Sequence, residues 1–472
     1  MDLENRNHSS AETAEQGETR AILAAIQRAL GDEDDVLADV DFTGHGDLPS
    51  VLHVSNLAVG CVAAAGVAVA KLIEARHGLR PVIRADRRLA SFWFGYAIRP
   101  QAWRLPPAWD AIAGDYQADD GWIRLHTNAP HHRAAALRVL GVASERDRVT
   151  AAVRTWNANA LETAIVDDGG CAAVMRSCTE WQAHPQGQAV HCEPLVHVEA
   201  MPDGASANFD IPPARPLRGI KVLDLTRVLA GPVATRFLAG FGAQVLRIDP
   251  PEWDEPGIVP DVTLGKRCAR LDLRTATGRD QFNTLLKTTD VLVHGYRPGA
   301  LERLGLGSKH CHHAHPGLVE VTLDAYGWSG PWRNRRGFDS LVQMSSGIAD
   351  LGMRTLRRDG PTPLPVQALD HATGYLMAAA TLCGLRRTLT TGCGSRWRLS
   401  LARTAALLTN LGAGSLRAEL APETPGDVAP EREATEWGPA RRLVAPIVVD
   451  GAPMRWDLPA GALGRSQPAW DA

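Results

Sequence analysis

The segment LRGIKVLDLTRVLAGPVATRFLAGFGAQVLRID, residues 217–249, contains a complete strand–loop–helix–strand unit. Residues 220–225 (Ile-Lys-Val-Leu-Asp-Leu) form a buried-strand pattern, Ala230-Gly231-Pro232 breaks it, 233–241 is helical and 243–248 is a second strand. Further strands are expected at 290–293 and 318–322, with helices between them. Strands alternating with helices predict a parallel, doubly wound α/β sheet. Ligands of such sheets bind at the carboxyl ends of the strands, near the first strand-to-helix loop. That loop, 226–232, lacks the G-x-G-x-x-G that lets backbone approach a pyrophosphate, so NAD binding with Asp249 as the ribose acid is disfavoured.

Outward from this unit, the Pro-, Gly-, Ala- and Asp-containing stretch 201–216 is expected to be a linker. Residues 120–141 are expected to run strand, turn, helix, and 56–75 to be an apolar helix. Its most apolar run, 57–70, is shorter than the roughly 20 residues a membrane span needs, so a soluble chain without a membrane partner is expected. The polar, acidic residues 1–18 hold too little apolar surface to offset ordering entropy and predict a disordered tail rather than a signal peptide. The stretch 420–472 reads as extended chain with one strand candidate at 443–449.

The whole chain has 472 residues, 45% hydrophobic and 22% charged, enough for two or three domains. Its 50 Lys+Arg against 53 Asp+Glu give a net charge of −3, which argues against a nucleic-acid partner. Eight cysteines without CxxC pairs fit neither a disulfide scaffold nor a zinc ribbon and suit a reducing, cytoplasmic compartment.

Several polar residues allow both a chemical and a structural reading. His310-Cys311-His312-His313 with His315 invites a metal, but neighbouring ligands are not spaced to converge on one ion, so no metal is expected. Trp122, His126, His131 and His132 are candidates to line a pocket, yet a half-buried strand and a helix start account for them, and the structural reading is preferred. Asp339 and Asp370 each precede an apolar helical stretch, where composition alone favours helix capping.

The chain also repeats itself. Asn56 to Gly60 is followed 18 residues later by Gly78, and Asp370 to Gly374 is followed 18 residues later by Gly392. Both intervals are Ala-rich, and both lead into a strand-like segment with Arg (82–84 and 396–398), at a constant offset of 314 residues.

Five segments together resemble the family III CoA-transferases, which include formyl-CoA and crotonobetainyl-CoA transferases and, as relatives, α-methylacyl-CoA racemases. They are 217–249, GKRCARLDL (265–273), DVLVHGYRPGALERLGLG (290–307), YGWSGPWRNRRGFDSLVQMSSG (326–347) and PVQALDHATGYLMAAATLCGL (365–385). They stand in family order and spacing over about residues 215–412. Residues 120–141 and Trp181 to Gly187 resemble the family's small domain, which normally follows the large one. The resemblance therefore implies a rearranged tandem-copy chain. Its expected parts are a disordered tail (1–18), a helical remnant of a degenerate first copy (19–110), a small α+β domain (111–200), the linker (201–216), a CoA-binding, Rossmann-like catalytic domain (217–412) and an extended C-terminal segment (413–472).

By the same resemblance, Asp370 is the nucleophile, forming an acyl anhydride and then an aspartyl-CoA thioester. Coenzyme A is bound as substrate, without a metal. Val228 and Ala230 are expected against the nucleotide, Arg247, Lys266, Arg267, Arg297 and Arg303 near its phosphates, Tyr296 on adenine and Tyr326 at the thioester. The partners implied are an acyl-CoA, a carboxylate and a second copy in an interlocked homodimer. Asn56 stands at the repeat position of Asp370 and cannot form an anhydride, so one active site per chain is expected. Racemases of the family carry His immediately before the Asp of the GxD motif; here Phe338 stands there and cannot move a proton, which favours transferase. A non-catalytic CoA-binding subunit is the third reading, disfavoured because capping alone would tolerate Ser, Thr or Asn at position 370. Leu229, Gly295 and Asp324 depart from residues common in the family.

Overall fold

A computed structural model describes residues 2–32, 40–201, 211–414 and 418–470. Successive residues of each central strand enter different cores, as expected of strands buried on both faces. Val222, Val245, Val291 and Val293 join one large core, and Leu223, Leu246 and Leu292 join a second on the opposite face. The first core holds helices Ala230–Gly240 and Ala368–Thr391, and the second holds Phe282, Leu285 and Leu286 of helix Ala276–Leu286. The sheet has seven strands. Across it they run Lys266–Arg270, Gln244–Asp249, Lys221–Leu225, Val291–His294, Val319–Asp324, Ser395–Ser400 and His197–Ala200, all parallel except the last. The first parallel strand in the chain thus lies between the second and the fourth, which creates a switch point and opens a crevice at their carboxyl ends.

The repeat is structural. Helices Val54–His77 and Ala368–Thr391 pack against each other and end alike: Gly78 and Gly392 take φ of 68° and 77°, donating N–H groups to the carbonyls of Glu74 and Thr388. The strands that follow, Ile83–Asp86 and Ser395–Ser400, lead into helices capped by Asp86 and Ser400, which accept from the N–H groups of Leu89 and Arg403. The helix ends, the glycine caps and their acceptors, and the caps Asp86 and Ser400 with their donors all keep the offset of 314, while the second copy's strand begins two residues earlier. The first copy retains strand Val40–Thr43 parallel to Ile83–Asp86, and antiparallel Ile447–Val449 closes its small sheet, as His197–Ala200 closes the large one. Each copy therefore takes its last strand from another part of the chain.

Glycine at matching positions lets a neighbouring helix approach both copies closely. A side chain at Gly374 would meet the carbonyl of Ala230 at 2.5 Å, and one at Gly60 would meet Ile22 at 2.9 Å. Ile22 belongs to helix Asp2–Ala29, which corrects the expectation of a disordered tail through residue 18. The polar sequence conceals a helix whose second half buries Thr19, Ile22, Leu23 and Ile26. Helix Val54–His77 is long and apolar enough to cross a membrane, and its most apolar stretch is entirely buried within the protein.

Residues 114–174 form a separate small layer, the antiparallel strands Gly114–Gln117, Trp122–Leu125 and Ala172–Val174 with helices Pro130–Leu140, Arg146–Val153 and Ala158–Asp167. Its own core includes Tyr116, Ile123, Leu125, Leu161 and Ile165. Most of the expected linker, 202–210, lies outside the described residues. The C-terminal stretch is more structured than expected. Strands Glu433–Thr435 and Gly438–Arg442 form a sheet with Ile98–Pro100, and the strand candidate at 443–449 narrows to Ile447–Val449.

Candidate active site

Asp370 sits in the first turn of helix Ala368–Thr391, with 7% of its surface exposed. Among the described residues its carboxylate has no hydrogen bond or ion pair; only its backbone N–H is engaged, donating to Asp339 Oδ2 at 2.9 Å. Asp339 also accepts from Gln343 Nε2 and is itself buried. Neither aspartate caps its own helix: Asp339 caps the helix of Asp370, and the Asp370 side chain caps nothing. Burial and the adjacent Asp339 carboxylate both push the Asp370 pKa well above the usual range, and burial pushes Asp339 up to about 6.

Two cavities meet at Asp370. The first, about 330 Å³, occupies the switch-point crevice between the loops after Lys221–Leu225 and Val291–His294. Arg227, Arg297, Arg335 and Arg336 line it, with Tyr296, Trp253, His131 and His132. Arg227 lies between two rings, 4.9 Å from the centroid of Trp253 and 5.2 Å from that of Tyr296. Burial and the nearby Arg336 lower the pKa of Arg297, which marks a surplus of positive charge. Burial pulls His132 down to about 3, helped by His131 and both arginines, so the ring is neutral near pH 7. The N-terminus of helix Ala230–Gly240 opens onto this cavity and adds its dipole to the cationic field.

The second cavity, about 540 Å³, lies on the other side of Val228, Trp253, Phe338 and Asp370, which line both. Its walls include Phe94, Tyr96 and Trp109 from the first copy, His126 from the small layer, and Ile258 and Val366 from the second copy. His126 stacks on Phe338 with centroids 3.7 Å apart, and Phe94 stacks on His371 at 5.3 Å.

Val228 holds the partition at φ 64°, a left-handed conformation unusual for a β-branched residue and costing of order 1–3 kcal/mol. Its N–H donates to Glu255 Oε2 at 2.9 Å. Glu255 in turn is ion-paired to Arg247, which also bonds Asp249 at 2.9 Å. The buried ion network thus braces the strained loop.

Of the residues expected at the nucleotide, Val228, Ala230, Tyr296 and Arg297 line the first cavity with Asp370. The others do not. Arg247 is fully buried in the network just described, and Lys266 is fully buried against Asp224 at 3.2 Å and the carbonyl of Pro232. Arg267 donates to the carbonyl of Ala469, Arg303 is exposed outside the lining, and Tyr326 is a core residue whose hydroxyl lies 3.2 Å from Ser345. The structural reading of the histidines is also corrected: His131 and His132 line the first cavity and His126 the second, while Trp122 lines neither. Sequence reasoning missed Arg227, Arg335 and Arg336, although the RNRRGFD run before Asp339 was a visible signal. Among the described residues, no group of three or more His, Cys, Asp or Glu is placed to hold a metal ion.

A doubly wound α/β protein with a buried carboxylate between an arginine-lined crevice and an apolar cavity is the class defined by this geometry. Residues 217–435 match the model of CoA-transferase family III. The chain is 35% identical over 187 residues to Rv3272, a probable fatty acyl-CoA transferase of Mycobacterium tuberculosis, covering 37% of this chain and 47% of that protein. It is 31% identical over 195 residues to a succinyl-CoA–D-citramalate CoA-transferase of Chloroflexus aurantiacus, covering 39% and 48%. A crystal structure of Rv3272 aligns at 31% identity over 42% of this chain and 57% of that one, with a TM-score of 0.39. The chain spans about half the length of the curated relatives it matches.

Proposed function

We propose that the chain moves CoA from an acyl-CoA donor to a carboxylic acid, with Asp370 as the nucleophile and residues 111–200 serving as the small domain of the sheet at 217–412. The observation that carries this reading is the position of Asp370 at the junction of a cationic cavity suited to the polyanionic CoA and an apolar cavity suited to an acyl group.

In the reaction, an Asp370 carboxylate oxygen attacks the thioester carbon, the C–S bond breaks, and an aspartyl–acyl anhydride and CoA thiolate result. The thiolate attacks the Asp370 acyl carbon, releasing the donor's carboxylate and leaving an aspartyl-CoA thioester. The acceptor carboxylate attacks that carbon, forming a second anhydride and freeing the thiolate. Thiolate attack on the acceptor's carbonyl then gives the new acyl-CoA and regenerates Asp370. Each step conserves the energy of an activated acyl group, so no outside energy source is needed. The buried position of Asp370 limits the water that would hydrolyse an anhydride. The carboxylate must be ionised to attack, and its raised pKa makes it a stronger nucleophile once the proton is gone.

Intact-protein and peptide mass spectrometry after incubation with acyl-CoAs and hydroxylamine tests the proposal. A covalent aspartyl intermediate is converted to a hydroxamate, a gain of about 15 Da expected on the peptide containing Asp370 and absent from Asp370→Asn. Binding of CoA without this gain, whatever the donor, would overturn the reading.

A further inference from the structure

The walls of the two cavities differ in charge as well as shape. Four arginines line the crevice at the strand ends, whereas among the described residues no Lys or Arg lines the second cavity. The carboxylates at its edge are Asp110, Asp254 and Glu255. Asp110 is ion-paired to Arg133 at 2.8 Å and Glu255 to Arg247, and Asp254 is exposed. Other guanidiniums near the wall are also engaged: Arg124 stacks on Trp109 and pairs with Asp115 at 2.7 Å, Arg236 pairs with the buried Asp261, and Arg227 stacks on Trp253 while lining the first cavity. The wall's imidazoles, His126 and His371, are stacked on Phe338 and Phe94, and burial holds both rings neutral. A second carboxylate on the acyl chain would therefore lose its water and meet no cation. The volume of about 540 Å³ falls within the range of about 300–1,000 Å³ that accommodates drug-sized ligands, and much exceeds what a one- or two-carbon acyl group fills.

From this we infer that the acyl groups exchanged at Asp370 are bulky and uncharged, aromatic or branched monocarboxylates, and that dicarboxylates are rejected at the same site. Phe94, Tyr96, Trp109, Phe338 and Val366 supply the apolar contact, and discrimination comes from the missing counter-charge. The inference rests on the function proposed above.

The test compares kcat/KM for phenylacetyl-CoA and isovaleryl-CoA with that for succinyl-CoA, each against a common acceptor, together with hydroxamate formation at Asp370. A preference of roughly 10–100-fold for the uncharged donors is expected. Val366→Arg, which adds a cation to the wall, is expected to narrow that preference, and phenylacetate should protect Asp370 from labelling better than succinate does. Labelling of Asp370 with equal or better use of succinyl-CoA would overturn the substrate inference and leave the transferase intact. Absence of labelling with every donor would overturn the transferase, and the substrate inference with it.

Discussion

Asn56 and Asp370 occupy the same place in two copies of one strand–helix–strand unit, and their surroundings have diverged completely. Asn56 is wholly buried and saturated: its Nδ2 donates to Glu18 at 2.5 Å, and its Oδ1 accepts from Arg87. Arg87 also bonds Asp47 and donates to the carbonyl of Gly46 at 2.8 Å, filling the space beside the helix start. At the matching position of the second copy stands Leu401, which lines the arginine-rich cavity and leaves the carboxylate of Asp370 unengaged. The same helix start is thus a closed polar lock in one copy and, in the other, a buried carboxylate left without a partner at the meeting of two cavities. What separates them is whether the neighbours satisfy the side chain or withhold partners from it, not the helix itself.

The sharpest way to break this comparison is to exchange the two residues. Asp370→Asn is expected to lower CoA transfer by about 10³-fold or more, as loss of a covalent nucleophile does, and adding Asn56→Asp should restore neither transfer nor hydroxamate formation. Recovery in the double variant, measured by peptide mass spectrometry, would mean the first copy holds a usable site. Stability should move the other way. Because the folded pKa of Asp370 lies above the ordinary 3.8, the native state loses stability as pH rises from about that value through the raised one. Asparagine removes this loss, so Asp370→Asn should melt higher than wild type at neutral pH, with the difference closing in acid.

The lock in the first copy predicts a large effect on stability. Arg87→Leu gives that copy the residue its counterpart carries and removes the guanidinium that bonds Asp47 and Asn56. Removing one member of a buried pair costs about 3–5 kcal/mol, to be read from the urea midpoint. Labelling of Asp370 in the remaining folded protein should persist, because Arg87 lines neither cavity. A midpoint unchanged from wild type would show that the lock is not what distinguishes the copies.

Much of this was legible in the sequence. The central strands could be read because burial on both faces leaves runs such as Val222-Leu223 with nothing polar to confuse them. The repeat was legible because a left-handed cap requires glycine at Gly78 and Gly392. Asp370 stood out through family resemblance, whereas its neighbour Asp339 read only as a cap, since a cap to another helix looks the same as a cap to its own. Arg247 and Lys266 misled because a cation on a strand carries no mark of whether it faces ligand or a buried carboxylate. His126, His131 and His132 were undervalued because they lie more than 200 residues from Asp370 in the chain and meet its cavities only through docking of the small layer. Residues 2–18 were misread because a helix held by a few buried side chains in its second half can begin with a largely polar sequence.

The cationic wall gives the next effect in size. Arg297→Ala should raise KM for the acyl-CoA by roughly 10–100-fold with little change in kcat, as expected when a contact is made equally to bound substrate and transition state. Raising the salt concentration should reduce the difference between variant and wild type. A fall in kcat with KM unchanged would instead assign Arg297 to the reacting atoms, and the division between a CoA side and a chemical junction would have to be redrawn.

The smallest effect concerns the pair of aspartates. In the proposed mechanism attack requires ionised Asp370, so transfer should fall as pH drops through its raised pKa, and Asp339, at about 6, contributes the repulsion that helps raise it. Asp339→Asn keeps an oxygen to accept the Asp370 N–H while removing the charge. The acid limb of the pH–rate profile should move to lower pH by about one unit, equivalent to about 1.4 kcal/mol, with the plateau rate little altered. An acid limb that stays in place would leave burial alone as the cause of the shift. The first copy already embodies the opposite solution, an amide at position 56 that no change of pH can charge.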